Sequence, residues 1–219
     1  MKIVIFTSVI ISSFLFTYNY TYASISSLVW EEISTLEGIT ISKTLNRQGI
    51  DSRIVGFKGE TLINASSEKV LGILLDNEHK KEWVDRLVKN EVLETFNTYE
   101  FLMYQEFHLP WPLANRDFVY RAKVIRLNAT TILISLKSEE TFKAPKTVGV
   151  RAELIDGQYI LKSVDAHTTL LMVEIISDPK GLIPLWLVNL IQRKWPYKTL
   201  MAIKEQVKKD IFKSLDLPL

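Results

Sequence analysis

Between residues 89 and 177 apolar and polar residues alternate with period two, in runs separated by short turns. Successive side chains of a strand point to opposite faces, so this alternation marks strands with one buried face. The runs fall at residues 92–96, 99–108, 118–127, 131–137, 148–155, 159–164 and 169–177. Asn97-Thr98, Asn128-Ala129 and Asp156-Gly157 supply turn chemistry between them. Strands joined so closely pair antiparallel, because a parallel crossover needs roughly a dozen residues or more.

Past residue 177 the period changes. From Pro184 to about Leu215 it becomes helical, with Leu187, Leu190, Ile191, Leu200, Ile203 and Val207 on the apolar side. Pro196 lies inside this stretch and is expected to kink it. The implied fold class is α+β, a long antiparallel sheet closed by one terminal helix. A helix laid on a strongly curved sheet leaves a gap, and such a gap can hold an apolar ligand.

Upstream of residue 89 the pattern is mixed. Residues 26–36 carry Leu28, Val29, Ile33 and Leu36 at helical spacing, and Gly38 reads as the glycine that ends a helix. Strands are expected at residues 39–45 and 53–63. Ser66 or Ser67 then caps a short helix with Val70, Leu71, Leu74 and Leu75 inward, and residues 80–85 form a second helical piece.

The first 23 residues differ in composition. Lys2 precedes an apolar run from residue 3 to 16, and Thr21 and Ala23 are small enough to flank a cleavage site. The run is shorter than the ~20 residues that span a bilayer. It reads as a signal peptide, 1–23, ahead of a single domain at 24–219, with an uncleaved anchor or a buried strand as alternatives. The expectation is an exported protein, periplasmic or secreted.

Composition excludes several classes. The 219 residues hold no cysteine, which removes disulfides, thiol nucleophiles and Cys-based zinc sites. The formal net charge is +2, and no basic block tracks phosphates, so nucleic acid is not an expected partner. His79, His108 and His167 are not in metal spacing, so neither metal nor cofactor is expected.

Two segments carry a family likeness. Residues 104–120 read YQEFHLPWPLANRDFVY, and residues 178–189 read DPKGLIPLWLVN. They resemble the START domain, a lipid-binding family with the helix-grip fold, and the likeness runs over residues 28–212. The resemblance implies a hydrophobic tunnel under the terminal helix, a lipid or other hydrophobic ligand, transient contact with a membrane surface, and no catalysis. A monomer is expected. On the strands it implies that Met103, Gln105 and Phe107 look into the tunnel beside Phe118, Tyr120, Ala122 and Val124. From the terminal helix it implies Trp186, Leu187 and Leu190. A gate is implied at residues 138–147, with Phe142 and Pro145 near its tip.

Three charged residues are candidates for other roles. Arg116 and Asp117 are either a head-group contact or a clamp on the Pro-rich loop. Arg151 points inward, as a ligand-binding residue, if it shares a face with Ile155, and would then be paired or meet an anionic head group. Choline-binding members of the family hold the quaternary ammonium in an aromatic cage flanked by an Arg and an Asp. At the matching positions only Tyr120 is aromatic; Gln105 and Ile155 replace the other rings, and Lys80 and Val84 replace the charges.

The competing readings are a cyclase-like or hydrolytic enzyme on the same fold, or a lipid-gated module that binds a partner. His167 with Asp165 is half of a catalytic triad or a surface turn; no Gly-x-Ser-x-Gly elbow accompanies it.

Overall fold

The computed structural model describes residues 29–44, 54, 56–181, 183–215 and 217. The expected signal peptide lies outside the described residues. Among the described residues, ten strands form one sheet in the order β1-β2-β3-β10-β9-β7-β6-β5-β4, with β8 paired to β6. They are β1 (Trp30–Leu36), β2 (Ile39–Thr44), β3 (Phe57–Ile63), β4 (Leu87–Asn97), β5 (Glu100–Phe107), β6 (Arg116–Asn128), β7 (Thr131–Ser138), β8 (Val150–Arg151), β9 (Glu153–Asp165) and β10 (Thr168–Asp178). Two helices accompany them, α1 (Ser67–Leu75) and α2 (Leu185–Gln206). Every pairing is antiparallel except β6 with β8.

The meander from β4 to β7 follows the alternation. Residues 101, 103, 105 and 107 of β5 sit opposite 122, 120, 118 and 116 of β6, so these two sets share one face. That face is the concave one. The core beneath it joins Val70, Leu71 and Ile73 of α1 to Leu161, Leu171 and Val173 of the sheet and to Leu200 and Ile203 of α2.

α1 starts as expected. Ser66 is its N-cap, and its side chain accepts a hydrogen bond from Lys69 N at 3.3 Å. The helical piece after it is a 3₁₀ turn, Lys80–Glu82.

α2 lies across β2 and β3. Pro196 is inside the helix and is buried. The approach is close because β3 offers Gly59 there: a Cβ at Gly59 would stand 2.9 Å from Leu200 Cδ1 and 2.9 Å from Pro196 Cβ. Beyond α2 the chain returns to α1, where Leu215 N donates to Glu68 O at 3.1 Å.

Two expectations are corrected here. Residues 30–36 form strand β1, not a helix. Glu37 (φ 51°) and Gly38 (φ 70°) make the tight turn of a β1–β2 hairpin, with Leu36 opposite Ile39. The glycine that looked like a helix stop is a hairpin turn. The expected turn at Asp156-Gly157 lies inside the continuous strand β9. Gly157 is wanted there for space, because a Cβ would meet Ile175 Cδ1 at 3.0 Å and Leu136 Cβ at 3.2 Å.

Candidate ligand-binding cavity

A cavity of about 230 Å³ lies between the concave face, α1 and α2. That exceeds the voids a packed core leaves, which seldom surpass a water molecule. Phe101, Met103, Gln105 and Phe107 of β5 line it, beside Phe118, Tyr120 and Ala122 of β6. Leu74 and Leu75 of α1 close one side, and Trp195 of α2 another. Leu154, Tyr159 and Ile175 add the wall from β9 and β10. Phe107 and Phe118 meet edge to face, with ring centres 5.7 Å apart.

The side chains expected in the tunnel divide into groups. Met103, Gln105, Phe107, Phe118, Tyr120 and Ala122 do line the cavity. Val124 shares their face but is not in the wall. It is buried in the main core, where the strand has run beyond the cavity. Trp186, Leu187 and Leu190 belong to α2, and their side chains lie outside the described residues.

Arg151 does not face the cavity. Because β8 pairs with β6 in parallel, Arg151 falls opposite Asp117 on the convex face, and its Nε donates to the Asp117 carboxylate. Its second nitrogen donates to Pro145 O at 2.8 Å. Residues 139–147 are therefore tied to the convex face. Ala144 packs on Leu102, Tyr104 and Val119, and Lys143 pairs with Glu94 at 2.6 Å. Phe142 is 95 % exposed, and neither it nor Pro145 lines the cavity. Ion pairs of Lys143 with Glu94 and of Glu139 with Arg121 tie the loop to the strands.

Arg116 and Asp117 are adjacent and point opposite ways. Arg116 reaches the cavity wall, but carbonyl oxygens hold its guanidinium: Ala114, Pro179 at 3.0 Å and Lys180 at 3.1 Å. It clasps the loop entering α2 to the start of β6. Asp117 is fully buried and accepts from Arg151 and, at 3.3 Å, from Tyr104 OH. Burial pushes the Tyr104 phenol up to about 12, with the Asp117 charge adding to the effect.

The polar groups that do face the cavity are few. Gln105 Nε2 donates to Asn90 Oδ1 at 2.9 Å, and Asn90 in turn donates to Asn77 O at 3.2 Å, which fixes the Gln105 amide in the wall. Burial drives the Tyr120 and Tyr159 phenols well above their ordinary range, so both stay protonated donors. Lys80 also lines the cavity, with Nζ donating to Leu74 O at 2.9 Å. Burial pushes its amine down to about 8. Alternation could have found Tyr159, which shares a face with Leu161, but the apparent turn at Asp156-Gly157 hid the register.

His167 sits in the exposed turn between β9 and β10, where its backbone N–H donates to Asp165 Oδ1 at 2.8 Å. It does not line the cavity. Among the described residues no group of three or more His, Cys, Asp or Glu could hold a metal ion.

Comparison with known proteins agrees with this architecture. The START domain family model matches residues 23–198. START domain-containing protein 10 of Mus musculus is 24% identical over 177 residues, covering 78% of this chain and 55% of that protein. The chain thus spans about half the length of that relative. Phosphatidylcholine transfer protein of Mus musculus is 26% identical over 165 residues, covering 73% of this chain and 75% of that protein. A STAR-related lipid transfer protein from Xanthomonas axonopodis superposes with a TM-score of 0.72 at 26% identity, over 82% of this chain and 99% of that one. With a curved antiparallel sheet, a terminal helix, a cavity between them and a family match over most of its length, the chain belongs to the START domain family.

Proposed function

We propose that the protein binds a lipid or other hydrophobic molecule in this cavity and carries it, as a monomer, outside the cytoplasm. The observation that carries the reading is the wall itself: aromatic and aliphatic side chains from both helices and from six strands converge on one void. A relative is named for phosphatidylcholine transfer, and a similar structure for lipid transfer.

The physical task fits. Exposing an acyl chain to water costs ~0.8 kcal/mol per methylene, or on the order of 11 kcal/mol for a fourteen-carbon chain. A dry cavity removes that cost during transit between membranes. In this reading the cavity is a container.

Loading requires contact with a bilayer. Trp111, in the loop between β5 and β6, is 92 % exposed, and Leu109 of the same loop lines the cavity. Trp favours the interface between water and lipid. This loop is the membrane-facing element in our reading. Export rests on the apolar run at residues 3–16.

Transfer between liposomes tests the proposal. Donor vesicles carrying a self-quenched lipid probe should lose it to unlabelled acceptors at a rate proportional to protein. A rate equal to the protein-free blank refutes carriage.

A further inference from the structure

We propose that the ligand carries a neutral oxygen acceptor, a carbonyl or hydroxyl oxygen, within its apolar body, and that Tyr120 and Tyr159 select it. This rests on the carrier reading above and names the class of hydrophobic molecule carried.

Two phenols interrupt the apolar wall from different strands, Tyr120 from β6 and Tyr159 from β9. Each is more than nine-tenths buried, at 7% and 8% exposure. Tyr120 lies opposite Met103 of β5 and Ser138 of β7, and Tyr159 lies opposite Ile134 of β7 and Val173 of β10. Of these neighbours Ser138 is polar, and its hydroxyl oxygen already accepts from Leu154 N at 2.7 Å.

Neither phenol hydroxyl has a hydrogen-bond partner among the described residues. Tyr104 provides the contrast: on the other face of β5, its hydroxyl donates to Asp117 at 3.3 Å. Nor are the two oxygens sealed in protein. Among the described residues, the side-chain atoms shut in without a partner are Trp83 Nε1, Thr199 Oγ1 and Gln206 Oε1. The phenol oxygens are not of that kind, so both open on the void. They stand close enough that a charge on Tyr159 is felt at Tyr120.

A hydroxyl taken from water without gaining a partner is unfavourable. An acyl tail offers it nothing, whereas a ligand oxygen accepts its proton. Each protonated phenol has one proton to donate, and one carbonyl oxygen has lone pairs for two donors. The desolvation that keeps these phenols neutral also penalises a charged group beside them, so a neutral oxygen is the fitting partner.

The position of the pair places that oxygen along the ligand. β6 leaves the Trp111 loop at Arg116, and Tyr120 is four residues further in, about 14 Å along an extended strand. The row of Tyr159 runs through Ile134 to Val124, where the cavity has given way to core. The acceptor therefore belongs to the body of the ligand and not to the end nearest the loop.

The test uses two ligands of equal chain length, nonadecan-10-one, with one mid-chain oxygen, and nonadecane, with none. Each is offered from cyclodextrin to delipidated protein, and uptake is read by native mass spectrometry. The wild type should favour the ketone roughly tenfold, as two neutral hydrogen bonds would. Tyr120→Phe and Tyr159→Phe keep the rings and remove the oxygens. Each should lower the preference several-fold, and the double variant should take up both ligands alike, with nonadecane uptake unchanged throughout. Equal uptake of the two by the wild type overturns the inference and leaves carriage intact, as does a preference that survives in the double variant. Uptake of neither ligand overturns this inference alone if lipid still moves between liposomes, and overturns both if it does not. The wild-type comparison decides even if a variant fails to fold.

Discussion

Arg151 lies directly across from Asp117, at the only parallel pairing in the described sheet, and joins a fully buried carboxylate to the loop at Pro145. The two partners are unequally placed: the Asp117 side chain is 0% exposed and that of Arg151 33%. Removing Arg151 strands a buried charge, whereas removing Asp117 leaves an arginine that water can reach. Arg151→Met should therefore cost about 3–5 kcal/mol, the range for breaking a buried pair. Asp117→Asn should cost less, about 1.5–3 kcal/mol, a hydrogen bond to a charged group. Urea denaturation of both variants checks the order. The reverse order would mean that Asp117 carries more than this pair.

The seating of α2 depends on the missing side chain at Gly59. Gly59→Val should force apart the contact with Leu200 and Pro196, costing about 1–3 kcal/mol as overpacking does. It should also release bound lipid faster than the wild type, because the helix that covers the cavity is loosened. Lipid off-rates measured after dilution into excess acceptor vesicles report this. An unchanged off-rate would detach the helix from ligand retention.

Lys80 makes stability depend on pH in a defined direction. Its folded-state amine titrates at about 8, below the ordinary 10.5. The unfolded chain therefore binds more protons than the folded one between those values, and stability rises with pH across that window. Below about pH 8 the cost of burying the charged amine is present in full. In the ligand-free protein, the stability of the wild type relative to Lys80→Met should increase from pH 8 to pH 10. A difference that stays flat or falls would show that the amine is not desolvated.

Trp111→Ala should weaken binding to vesicles while leaving the melting temperature within a degree or two, since its side chain is 92 % exposed. Losing one interfacial ring is worth about 1–2 kcal/mol, or roughly tenfold in partitioning. Phe142→Ala, on the loop along the convex face, should have less effect. Vesicle co-sedimentation distinguishes the two. Equal losses would assign both loops to the membrane.

Much of the sheet was legible because its faces differ. β5, β6, β7 and β10 each keep one face in the core or cavity, so alternation marks them to within a residue or two. The cavity-facing set on β5 and β6 followed from the same pattern. β1 escaped because it is an edge strand. Glu31, Glu32, Ser34, Thr35 and Leu36 are all exposed, so no buried face imposes a period of two, and Leu28, Val29, Ile33 and Leu36 fall by chance at helix-like spacing in the sequence.

Other errors came from contacts distant in sequence. Gly157 is set by crowding from Ile175 and Leu136, on two other strands, and nothing local distinguishes that from a turn. The inward placing of Arg151 assumed that residues 148–155 form one uniform strand. The break at Ala152 and the parallel step beside β6 put Arg151 on the convex face, and the loop before it follows. The environment of Lys80 was illegible for a related reason. What sets it apart is the absence of an acid in space, which follows from where Asp76 and Asp85 find their own partners.

The central claim is that the cavity holds the ligand, and Ala122 gives the most direct access to it. Its methyl group lines the cavity between Phe101 and Leu136 on the neighbouring strands. Ala122→Phe should fill the void from within and leave the convex face untouched. Native mass spectrometry of wild-type and Ala122→Phe protein, purified identically, is the decisive measurement. The prediction is one lipid per wild-type chain and little or none in the variant, with both chains folded by circular dichroism. A folded Ala122→Phe protein that carries as much lipid as the wild type would contradict the account.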